Sequence, residues 1–147
     1  MLIIDANIAG EIKQAKTCVR PVVEWLTNGK GKLATGGKNL EELSLASLTR
    51  FLGQLERKGS LVRFSKLDIS DKESCVRDLI ASDDPHVIAL ALVSKVRLLV
   101  SNDNLLIQDF KSATIMSGKP GKVFKTDSPG EDERKRTARF RYLTKNL

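Results

Sequence analysis

The stretch Asp83-Asp84-Pro85-His86-Val87-Ile88-Ala89-Leu90-Ala91-Leu92-Val93-Ser94-Lys95-Val96-Arg97-Leu98-Leu99-Val100-Ser101-Asn102-Asp103 decides the fold. Pro85 suits the first turn of a helix, where its missing N–H costs nothing, and Asp84 before it suits the cap. Val87, Ile88, Leu90, Ala91 and Leu92 predict a well-buried helix ending near Lys95. Leu98-Leu99-Val100 is a short apolar run of the kind a central parallel strand carries. Directly after it the chain turns acidic at Asp103. One carboxylate thus opens a helix, and a second follows the next strand.

The N-terminus repeats the pattern, with Leu2-Ile3-Ile4 as a strand and Asp5-Ala6-Asn7 after it. In an open α/β sheet, ligands bind beyond the carboxyl ends of the strands. If both strands lie in one parallel sheet, Asp5 and Asp103 leave the same edge. Carboxylates packed together repel one another unless they protonate or share a cation. A hard divalent ion with a preference for oxygen ligands, Mg²⁺ or Mn²⁺, resolves that repulsion.

With 147 residues and 41% hydrophobic content, the chain is long enough for one core, and its 29% charged fraction suits a protein in water. No apolar run reaches the length of a membrane span, and the chain starts directly with a strand, so a cytoplasmic location is expected. Cys18 and Cys75 lack metal-type spacing and read as free thiols in a reducing compartment. The net charge of +7 contrasts with the acidic residues singled out above. A basic surface around an acidic pocket suits a polyanion held by its phosphates and acted on through metal ions.

Along the chain, residues 8–16 are expected to be helical, and a second helix follows Pro21 and stops at Asn28-Gly29. Residues 30–35 read as a strand and Gly36-Gly37 as a turn. No G-x-x-x-x-G-K-[ST] register fits there, so a nucleotide-binding loop is rejected. One long helix is expected over residues 39–58, with Leu40, Leu43, Leu48, Phe51, Leu52 and Leu55 on one face. A strand at residues 61–64 precedes a helix over 70–82 with Val76, Leu79 and Ile80 inward and a Ser70/Glu73 capping box. Beyond Phe110, residues 113–116 suggest a strand, and Val123-Phe124 either closes a hairpin or lies on an edge. Residues 126–133 read as linker; from Arg134 the tail mixes basic residues with Phe140 and Tyr142, as a docking helix or a flexible arm.

Three strings, Leu2-Ile3-Ile4-Asp5-Ala6-Asn7, Asp84-Pro85-His86-Val87-Ile88-Ala89-Leu90-Ala91 and Leu99-Val100-Ser101-Asn102-Asp103, in this order resemble the PIN-domain nucleases. The resemblance covers residues 1–125 as a PIN-like nuclease domain and leaves 126–147 outside as a polar linker and basic tail or helix. It implies a three-layer α/β/α sandwich with a central, mainly parallel sheet. It also implies divalent-metal-dependent ribonuclease activity, frequent homodimers and, for the toxin members of the family, a protein antitoxin. Carried over residue by residue, Asp5, Asp84 and Asp103 match the family's catalytic, metal-holding acids. The helical acid is Glu41 or Glu42. Helical projection sets Glu41 at the margin of the apolar face, whereas the family's Glu-Leu pairing favours Glu42-Leu43, and Glu42 is taken. Asp109 is an additional acid with no assigned role, and Ser101 stands where the family often has Thr.

Each acid also has an ordinary structural reading: Asp5 and Asp84 as helix caps, Asp103 as a turn residue. Their agreement with a four-acid pattern favours a site. His86, with no second His or nearby Cys to form a zinc set, reads as a surface or packing residue. The expected function is a metal-dependent endoribonuclease that needs no nucleophilic side chain, and the resemblance extends the expectation to the toxin of a toxin–antitoxin pair. The alternative is a non-catalytic RNA- or protein-binding module that keeps the fold. A phospho-acceptor role for Asp5 ranks last, because Ala6 and Asn7 stand where such designs place a second acid.

Overall fold

The computed structural model describes residues 1–145 and residue 147. Its first half runs β1 (Ile3–Ile4), α1 (Ala9–Lys13), α2 (Arg20–Thr27), β2 (Leu33–Thr35), α3 (Gly37–Leu45), α4 (Thr49–Arg57) and β3 (Leu61–Arg63). The second half runs α5 (Lys66–Val76), α6 (Pro85–Ser94), β4 (Leu98–Val100), α7 (Asn104–Phe110), β5 (Lys122–Phe124) and α8 (Glu133–Thr144). All strand pairings among the described residues are parallel: β1 with β4, β4 with β5, and β2 with β3. A single parallel bridge between Leu2 and Leu33 aligns the two sheets, so the strands read β3-β2-β1-β4-β5.

Alternation along the strands sorts the side chains into two cores, as the period of two requires. Leu2, Ile4, Leu33, Leu98, Val100 and Phe124 join residues of α1, α2 and α4 and Phe140 on one face. Ile3, Ala34 and Leu99 join residues of α5, α6 and α7 on the other. Helices therefore cover both faces of the parallel strands, an α/β arrangement compatible with three layers. Helix α6 is buried nearly all round, from His86 through Ala91, as its uniformly apolar sequence requires. Among the described residues, no helix is long and apolar enough to cross a membrane.

Several local expectations fail, each for a physical reason. The helix expected over 39–58 divides into α3 and α4, with Ser47 in the left-handed region at φ 68° between them. The two halves have different partners: α3 packs on α5 and α6, whereas α4 packs on α2 and β3. The helix expected over 70–82 is α5, which starts earlier because Ser65 caps it, Oγ accepting from Asp68 N. Glu73 then pairs with Arg77 instead of serving a capping box, and Leu79 is 61% exposed rather than inward. Residues 113–116 form turns, not a strand, with Met116 N donating to Ser112 O. The first helix shrinks to a 3-10 turn at Ala6–Ile8 and α1, ending before Ala15 at φ 52°.

The tail docks. Asp132 caps α8 by accepting from Lys135 N, and Phe140 meets Trp25 and Phe124 edge to face at 5.9 and 5.1 Å. Arg139 lies 4.3 Å over the Phe124 ring and pairs with Glu131 at 3.0 Å.

Candidate metal centre

Strand β1 ends beside the end of β4, and Asp5 N extends the pairing by donating to Val100 O at 3.0 Å. From this point the strand order departs to both sides, β2 and β3 one way and β5 the other. Such a switch point opens a crevice at the carboxyl edge of a parallel sheet. Ser101, fully buried, links the ends of the two strands there. Its hydroxyl donates to Asp5 Oδ2 at 2.7 Å and accepts from Asp103 N at 3.1 Å.

Asp103 caps α7, Oδ1 accepting from Leu105 N and Leu106 N at 3.0 and 3.2 Å. Asp84 occupies the cap position of α6, yet its side chain makes no cap hydrogen bond. The expected capping use of Asp84 is thereby corrected: Val87 N, one of the donors a cap would serve, goes to the backbone carbonyl of Asp84 at 3.1 Å instead of its carboxylate. Asp5 likewise makes no side-chain cap bond to the turn it precedes. Asp5, Asp84 and Asp103 come together, each offering an oxygen within 4.8 Å of the others'.

Burial is the first cause that raises the proton affinity of Asp5 above the ordinary carboxylate value. The Ser101 hydrogen bond opposes it, and the charges of Asp103 and Glu42 add to it. Asp84 is raised too, by burial first and then by the charge of Asp5, with His86 acting in the other direction. Repulsion among the acids, the reason anticipated from sequence, thus ranks behind desolvation.

The two candidate helical acids part company on α3. Glu41 is exposed and pairs with Lys66 at 3.3 Å. Glu42, with its side chain 35% exposed, contacts His86 Nε2 through Oε1 and acts electrostatically on Asp5 and Asp84. Glu42 lies outside the close group of three aspartates. His86 corrects the surface alternative anticipated for it: the residue is 2% exposed. The signal was present, since a residue flanked by an apolar run on every face of a helix is buried with it.

Asp109 is buried and has a separate structural task. Its carboxylate accepts from Ala81 N and Ser82 N, both at 2.9 Å, and holds the segment before α6 against α7. The sequence reading missed Asn39, which donates to Ile4 O at 3.0 Å while its Oδ1 accepts from Thr35 Oγ1 at 2.7 Å. This buried relay ties the start of α3 to the backbone beside Asp5. Gly36 permits the close turn, since a Cβ there would sit 2.6 Å from Phe64 O. Polar residues flanking Gly36-Gly37 at a strand end were the available signal.

The donor set is all carboxylate oxygen, which suits Mg²⁺ or Mn²⁺ rather than zinc or copper. Opposed ligands of an octahedral Mg²⁺ lie about 4.2 Å apart. The chain matches no protein-family model, no curated protein and no solved structure.

Proposed function

We propose that this chain is a divalent-metal-dependent endoribonuclease with a PIN-like three-layer sandwich, hydrolysing RNA phosphodiester bonds. The observation that carries the reading is the meeting of Asp5, Asp84 and Asp103 at the carboxyl edge of parallel strands, at the switch point. The resemblance described from sequence supplies the reaction class, and the net charge of +7 favours a polyanionic substrate. Within the same reading, the toxin half of a toxin–antitoxin pair is the proposed biological setting, with a homodimer and a protein antitoxin as partners.

Asp5, Asp84 and Asp103 would hold Mg²⁺ or Mn²⁺, with Glu42 completing the set. Bound there, the ion supplies Lewis acidity, which activates water and offsets charge developing on the phosphate. The raised proton affinities of Asp5 and Asp84 mean that protons would compete with a cation there, so binding one would displace any proton these carboxyls hold. Ser101 keeps Asp5 oriented through Oδ2. No side-chain nucleophile is needed, so hydrolysis leaves no covalent enzyme intermediate. An RNA-cleavage assay with and without Mg²⁺ or Mn²⁺, run beside Asp5→Asn, tests the proposal. Cleavage that depends on the metal and disappears in Asp5→Asn is the expected result; cleavage that survives chelation overturns it.

A further inference from the structure

His86 is an unusual occupant of its position. Its neighbours along α6, Val87, Ile88, Ala89, Leu90 and Ala91, are all apolar and buried. Among the described residues its Nδ1 is buried without a hydrogen-bond partner. An orphaned ring nitrogen in such surroundings is costly, so packing alone would favour an apolar side chain there. Among the described residues the ring's one polar contact is to Glu42. A carboxylate oxygen accepts, so Nε2 must carry the hydrogen that faces it. The Glu42 side chain is 35% exposed, so it keeps partial access to water beside the ring. The contact is therefore not needed to bury Glu42; what it does is restrict where the carboxylate points.

The location gives that restriction a use. Asp84 opens α6 and His86 lies in the same first turn, so one turn of helix carries both a centre aspartate and the donor to Glu42. Helix α3, which bears Glu42, packs on α6. Because His86 engages Oε1, the second carboxylate oxygen is left for another partner. We infer that His86 is a positioning residue that aims Glu42 at the three-aspartate centre as its fourth carboxylate. The inference rests on reading that centre as a divalent-cation site.

Mn²⁺ titration of the full chain, by calorimetry or by loss of the free-ion electron-spin signal, tests it. His86→Leu keeps bulk and removes the donor. The metal-free variant is expected to melt at or above the wild-type temperature, while Mn²⁺ affinity falls on the order of tenfold or more, as when a partner that orients a ligand is lost. His86→Gln, whose amide nitrogen reaches about as far as Nε2, should restore most of that affinity. His86→Leu combined with Glu42→Gln should bind no more weakly than Glu42→Gln alone, since the two residues act as one unit. If His86→Leu fails to fold, His86→Asn, polar but too short to reach Glu42, takes its place against His86→Gln. Wild-type affinity in His86→Leu or His86→Asn, or additive losses in the double variant, would overturn the positioning role. Mn²⁺ binding lost in Asp5→Asn but kept in His86→Leu sinks that role alone, whereas a folded wild type that binds no Mn²⁺ sinks it together with the metal-site reading.

Discussion

The hydroxyl of Ser101 donates to Asp5 Oδ2 at 2.7 Å and so joins the end of β4 to the end of β1. Of the forces on Asp5, this hydrogen bond is the largest that favours the ionised carboxylate. Ser101→Ala should therefore raise the proton affinity of Asp5 further and leave Asp103 N without its acceptor, at a cost of about 1–2 kcal/mol. Ser101→Thr keeps the hydroxyl and should stay near wild type. NMR titration of the Asp5 carboxyl in metal-free protein reads the first effect and thermal melting the second. An unshifted Asp5 in Ser101→Ala would show that the hydroxyl does not favour the anion.

The raised affinities of Asp5 and Asp84 set the pH dependence of metal-free stability. A carboxyl that binds its proton more tightly when folded stabilises the fold fully below its ordinary value of 3.8. That contribution is lost as pH rises through the folded value, because there the folded state holds more protons than the unfolded one. Asp5→Asn removes the dependence of one site. At neutral pH the variant should be more stable than metal-free wild type by about 0.5–2 kcal/mol, in line with other relieved functional sites. The difference should vanish below pH 3.8. Denaturant melts at several pH values measure it, and equal stability at neutral pH would mean that Asp5 carries no strain.

Asp103 has two tasks that substitution can separate. Asn caps a helix about as well as Asp, whereas Ala loses the bonds to Leu105 N and Leu106 N. Asp103→Asn should keep its melting temperature, and Asp103→Ala should lose about 1 kcal/mol. Both should abolish cleavage. A metal-dependent activity retained by either variant would remove Asp103 from the centre.

What was legible in the sequence, and what was not, follows from how far each signal reaches. Leu2 to Ile4, Leu98 to Val100 and the apolar run after Pro85 carry their structure locally, so β1, β4 and α6 stand where expected. The acids follow from those elements, because a residue just past a parallel strand leaves at the carboxyl edge. The break at Ser47 had no Gly or Pro beside it to announce it, as the apolar stripe from Leu40 to Leu55 continues across it and Gly53 stands later, inside α4; only the differing partners of α3 and α4 divide it. The contact between Glu42 and His86 joins residues 44 positions apart by number and depends on how α3 meets α6. Asp109 was ambiguous for the same reason, since the N–H groups it serves belong to a distant loop.

Asp109 should accordingly behave as a structural acid. Asp109→Ala leaves Ala81 N and Ser82 N without their acceptor and should cost about 2–4 kcal/mol, since both bonds are to a charged, buried group. Mn²⁺ affinity at the three aspartates should change little in protein that remains folded. A stable Asp109→Ala with weakened Mn²⁺ binding would instead make Asp109 part of the centre.

The tail combines a packed face with a charged one, and each needs its own variant. Phe140 is buried against Trp25 and Phe124, so Phe140→Ala should cost about 3–5 kcal/mol. Ending the chain at Glu133 should lower the melting temperature for the same reason, which makes truncation a poor probe of RNA contact. Arg136 and Arg139 are also committed, both to Glu131, whose carboxyl is held below its ordinary range chiefly by the Arg139 hydrogen bond. The positive charges of the tail left facing solvent are Arg134, Lys135, Arg141 and Lys145. If these follow an RNA backbone, replacing Arg134 and Arg141 with Gln should keep the melting temperature and flatten the salt dependence of RNA binding. The slope should fall by about 0.7 in log–log units per lost phosphate contact on a single strand. Saturated cleavage should be nearly unchanged, because the acids lie on other elements. An unchanged salt slope in the Gln variant would leave α8 a packing helix only.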